Sequence, residues 1–186
     1  MRRDIQTTAV AIILFFIFSF TLSFAADAQY IGAAKCKMCH VSKKSGEQYV
    51  IWQNSAHAKA YATLATEEAK AVAKKAGVEG DPQKAAACLK CHVTGFEAPA
   101  SAKAAGFDQT EGVGCESCHG PGSLYKSMSV MKALAAGTQD AKAVAFLKGD
   151  EATCKKCHNE SSPTYKPFTF AEKLKVIAHP VPKEKE

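Results

Sequence analysis

All eight cysteines of this 186-residue chain fall into one spacing used four times. Cys36-Lys37-Met38-Cys39-His40, Cys88-Leu89-Lys90-Cys91-His92, Cys115-Glu116-Ser117-Cys118-His119 and Cys154-Lys155-Lys156-Cys157-His158 leave none over. With six histidines in the chain, finding one after every pair is a coincidence on the order of one in a million. A disulfide framework gives no reason for the trailing histidine. Structural zinc built from such pairs takes two pairs per ion and requires no adjacent histidine. Covalent c-type haem accounts for all three residues. Cysteines one helical turn apart add their sulfurs to two vinyl groups, and the next histidine comes under the ring as an iron ligand. The pattern predicts four covalently bound haems, tethered by Cys36, Cys39, Cys88, Cys91, Cys115, Cys118, Cys154 and Cys157. Their proximal ligands are His40, His92, His119 and His158.

Haem of this type is attached outside the cytoplasm, and the start of the chain agrees. Arg2 and Arg3 precede an apolar run over residues 9–24 that is interrupted only by Ser19, Thr21 and Ser23, and small residues follow up to Ala28. Residues 1–28 read as a secretory signal peptide. An uncleaved anchor is the competing reading, but the run sits at the short edge of the roughly 18 apolar residues that span a bilayer. The expectation is an exported protein, periplasmic or extracellular, with no stable membrane span after cleavage.

Residues 29–186 then form one domain, and its composition bears on the core. The chain has 33 Ala against 10 Phe, 5 Tyr and 1 Trp. Such a sequence is short of the bulky groups that fill an interior, so four macrocycles must serve in their place and Ala-rich helices approach their faces. The first cysteines lie 52, 27 and 39 residues apart, which rules out a tandem repeat of fixed period. Period-two strand patterns are scarce. The fold expected is mainly α, a compact multihaem cytochrome c fold with little regular sheet.

Local signals mark the helices. Ser45 and Gln48 suggest a capping box for a helix through Tyr49–Trp52. Thr66 opens a segment with Glu67 and Glu68 in its first turn, Lys74 and Lys75 in its last, and Gly77 beyond. Asp81-Pro82 suggests a helix leading into the Cys88 motif, and Asp150 a cap for the turn carrying Cys154. Residues 123–137, 138–149 and 169–179 complete the helical expectation.

Counting ligands is informative. Four irons have eight axial positions, the motif histidines fill four, and only His57 and His179 remain in the sequence. Both are candidates because demand exceeds supply. The deficit of two leaves Met128, Met131, a lysine or other amine, water, or an open position.

Three stretches carry a family resemblance: Trp52-Gln53-Asn54-Ser55-Ala56-His57-Ala58-Lys59-Ala60, Cys91-His92-Val93-Thr94-Gly95-Phe96, and Gly112-Val113-Gly114-Cys115-Glu116-Ser117-Cys118-His119-Gly120-Pro121-Gly122. The chain resembles the tetrahaem cytochrome c-554 family. The resemblance implies helices wrapped around four haems in stacked pairs, in a periplasmic electron carrier. It also implies that His57 ligates the third haem opposite His119, that His179 ligates the fourth opposite His158, and that the second haem, at His92, keeps an open sixth position. Where the family places a distal histidine for the first haem, this chain has Lys126-Ser127-Met128-Ser129. Met128 opposite His40 is the expected replacement.

The formal charge is +6, most of which the haem propionates cancel, and nothing suggests nucleic acid. Lysines near the motifs, such as Lys43, Lys44, Lys155 and Lys156, suit acidic redox partner proteins. The expected function is electron transfer between such partners. Two alternatives are a reductase of small nitrogen oxides at a five-coordinate iron, and a subunit of a conductive cytochrome filament. The first needs a distal acid or base for which no histidine is spare, and the second needs a full set of axial donors.

Overall fold

The structure, a computed structural model, describes residues 27–179. The apolar run and most of the expected signal peptide lie outside the described residues.

Nine short α-helices joined by turns make up the described chain: α1 (Lys37–His40), α2 (Gln48–Gln53), α3 (Ala60–Thr63), α4 (Glu67–Lys75), α5 (Ala86–His92), α6 (Cys115–His119), α7 (Met128–Ala135), α8 (Glu151–Lys155) and α9 (Phe170–Ile177). Extended pairing among the described residues is limited to one parallel bridge between Tyr30 and Lys103. The mainly helical expectation holds.

Helix ends follow their caps. Thr66 accepts from Ala69 N at the start of α4, whose first-turn glutamates and last-turn lysines complement its dipole. Asp150 Oδ1 accepts from Thr153 N at 2.7 Å and starts α8. Ser127 caps α7 through Val130 N, so this helix begins later than residue 123.

Three local expectations fail. The Ser45 hydroxyl donates to Ser42 O instead of capping α2, which starts after Glu47 in the left-handed region at φ 54°. The Asp81 carboxylate accepts from Gln83 N in a turn, so α5 starts only at Ala86. Residues 138–149 contain one 3₁₀ turn, Lys142–Val144, because Ala145 at φ 57° reverses the chain.

The polypeptide encloses little by itself. Its buried side chains among the described residues are Ile31, Ala33, Tyr49, Leu64, Ala73, Pro82, Val93 and Tyr125, with the polar Thr94 and Glu116. So small a set does not offset the entropy of ordering this length of chain. The interior that four macrocycles would supply is the one this sequence lacks.

Candidate functional site

The first motif is set by what precedes it. Backbone N–H groups of four successive residues all donate to two glutamates. Ile31 and Gly32 reach Glu116, at 2.9 and 2.8 Å, while Ala33 and Ala34 reach Glu111, at 2.8 and 3.0 Å. Glu116 also accepts from Gly122 N at 2.6 Å. Because Glu116 belongs to the third motif, this clamp brings motifs one and three together, and the Cys36 thiol faces Cys115.

A second tie joins motifs two and three. The Thr94 hydroxyl, buried just after His92, accepts from Gly114 N at 2.7 Å and lies 2.9 Å from Ser117 Oγ. Across the molecule Cys157 faces Cys91, joining motifs two and four. Burial and this facing cysteine push the Cys157 thiol up to about 12. As neutral thioethers these sulfurs carry no such ionisation cost.

Three of the four motif histidines are oriented through Nδ1. His40 Nδ1 lies 3.1 Å from Gln48 Oε1, His92 Nδ1 2.8 Å from Ala60 O, and His119 Nδ1 3.0 Å from Leu147 O. An oxygen at Nδ1 fixes the tautomer with its proton there and leaves Nε2 as the free donor atom, the arrangement of a metal-bound imidazole. Leu147 grips His119 twice, since its N–H also donates to His119 O at 3.0 Å. His158 is held by stacking on Phe168, with ring centres 4.9 Å apart.

The two remaining histidines each face a motif histidine. His57 and His158 have ring centres 6.0 Å apart, and His179 and His119 5.9 Å. A first-row metal bound at about 2 Å by a nitrogen of each ring fits midway between rings so spaced. Burial, then the facing imidazole, lowers the pKa of both His57 and His179 and keeps them neutral, with a lone pair available.

These neighbours are exchanged relative to expectation: His57 lies by the fourth motif and His179 by the third. The chain path explains the exchange. Val113 N donates to His57 O at 3.0 Å, so residue 57 runs beside the segment leading into α6 and its ring reaches His158, just past the end of α8. A Cβ at Gly112 would lie 2.7 Å from His57 O, so only glycine permits this approach.

Met128 sits in the first turn of α7 and is 64% exposed, whereas Met131 is part-buried. His40 Nδ1 pairs with Gln48 Oε1, and its ring lies near enough to His179 to help lower the pKa of that residue.

The donor set fits covalent haem. None of the eight thiols is in a disulfide, three motif-histidine rings are anchored with Nε2 free, and two further imidazoles stand at bridging distance. Among the described residues no three His, Cys, Asp or Glu side chains converge as a zinc site would require. Sequence reasoning missed Glu116, Glu111, Gln48, Phe146 and Phe168. A carboxylate inside a glycine-flanked motif was a usable signal for Glu116, while the carbonyls of Ala60 and Leu147 carry none.

The family described as cytochrome c554 and c-prime matches residues 35–120, the first three motifs. Cytochrome c-554 of Nitrosomonas europaea is 36% identical over 116 residues, 56% of this chain. That stretch spans 43% of the relative's length. The solved structure of the reduced state of cytochrome c554 from Nitrosomonas europaea is 30% identical, covers 81% of this chain and 79% of its own, and has a TM-score of 0.46.

Proposed function

We propose that the chain, which is similar to cytochrome c-554 over its first three motifs, carries covalently bound c-type haems and is an exported tetrahaem electron carrier working between redox partner proteins. Residues 1–28 are then removed as a signal peptide, and residues 29–186 act outside the cytoplasm. Among the described residues no helix is long and apolar enough to cross a membrane.

In this reading the eight cysteines tether the haems and the motif histidines are their proximal ligands. His57 completes the fourth haem opposite His158, and His179 the third opposite His119. The second haem, at His92, keeps an open position, and Met128 completes the first opposite His40. Haem iron cycles between ferric and ferrous, and so takes up and returns one electron. The protein tunes that exchange through what it places around each ligand. Oxygen acceptors at Nδ1 of His40, His92 and His119 make those imidazoles more basic and favour the ferric state, whereas His158 rests against a phenyl ring.

The observation that carries the reading is the spacing of the two imidazole pairs, at 5.9 and 6.0 Å. Electron paramagnetic resonance of the ferric holoprotein tests it. His57→Ala should remove one low-spin bis-histidine signal and His179→Ala a different one, with the remaining signals kept. Loss of the same signal in both variants, or of none, would refute the ligand sets. Met128→Ala should alter one haem only.

A further inference from the structure

We propose that the face around the first motif is the docking surface for an acidic electron-transfer protein; this rests on the carrier reading above. Residues 33–46 carry Lys35, Lys37, Lys43 and Lys44, all exposed, and no Asp or Glu. Glu111 and Glu116 turn inward onto the backbone of residues 31–34, which leaves Glu47, next in the chain and bonded through its N–H to Ser42 O, as the acid beside the four lysines. The lysines of this segment thus outnumber the acid next to it by four to one.

Its centre is apolar. Met38 is 85% exposed and Val41 41%, and Cys39 is the one exposed cysteine of the eight. Lys37 is held at the margin by its ammonium, 5.8 Å from the centre of the buried Tyr49 ring. An apolar centre rimmed by charge of one sign is how transient redox interfaces gain both contact and steering. In the carrier reading Cys39 would hold a haem at this face.

The other motifs lack this combination. Lys155 beside the fourth is paired with Glu151 at 2.7 Å, the third has the buried Glu116, and the second contains a single lysine, Lys90. Charge complementarity thus selects an acidic partner and the first motif as its contact.

The test uses the holoprotein and flavodoxin, an acidic one-electron protein, as probe. Binding to oxidised flavodoxin is followed by NMR titration at low ionic strength, and reduction by its hydroquinone, which becomes the semiquinone, by stopped flow. Lys35→Glu, Lys43→Glu and Lys44→Glu together should weaken binding at least about tenfold and remove most of the salt dependence. The same three changes to Gln should have a smaller effect. Lys74→Glu, Lys75→Glu and Lys132→Glu, of equal net charge, should leave binding within about twofold. Equal loss in both Glu variants, or no loss in the first, overturns the proposal. So does capture of the wild type by phosphatidylglycerol vesicles that depends on Lys35, Lys43 and Lys44 while flavodoxin binding does not. Failure of the carrier reading is separate: the haems would not cycle with dithionite and ferricyanide.

Discussion

A carboxylate only 3% exposed, as Glu116 is, keeps its charge only where donors replace water. Three backbone N–H groups do so, from residues far apart in the chain. Glu116→Gln sets an amide NH₂ against those donors and should destabilise the fold by about 1–3 kcal/mol, read by thermal unfolding of the holoprotein. Burial raises the Glu116 pKa from its ordinary 4.5 more than its hydrogen bonds lower it. The folded state therefore binds this proton more tightly than the unfolded state does. The contribution of Glu116 to stability should then fall as pH rises through and above that value, and the Gln variant should lack this slope in unfolding scans between about pH 4 and pH 7. The proposed haem-attachment residues stand out in the sequence because covalent chemistry demands a fixed spacing. The acceptors that orient the histidines do not, because a backbone carbonyl such as Ala60 O is common to every residue.

Turns, more than helices, carry the histidines to their places. Gly120 closes α6 at φ 76°, and a Cβ there would lie 2.3 Å from Ala145 O. Gly77 has a similar φ of 73° with nothing within 4 Å. Gly77→Ala should therefore cost only the left-handed conformation, about 1 kcal/mol, whereas Gly120→Ala should cost several times more and loosen the Leu147 grip on His119. Comparing thermal midpoints and the ferric spectrum of the two variants checks both statements. The same contrast shows where the sequence could be read. Thr66 and Asp150 cap locally, so their helices were foreseen. The turn at Ala145 was not, since its reason is the docking of Phe146 on His119 and Tyr125, contacts that exist only in the folded chain.

At the scale of the molecule, the small set of buried side chains and the two imidazole pairs support the proposal that haem is both the interior and the working part. The chain produced without haem attachment should give the spectrum of an unfolded polypeptide, with no cooperative thermal transition by circular dichroism. The exchanged positions of His57 and His179 belong to this scale as well. Counting ligands singled out both residues as candidates, but which motif each one faces depends on the path of the whole chain. Mass spectrometry of material matured in a host that attaches c-type haem tests the central claim most directly. The account predicts a chain carrying four haem masses, each recovered on its own Cys-x-x-Cys-His peptide. A folded protein whose mass is that of the polypeptide alone would contradict it.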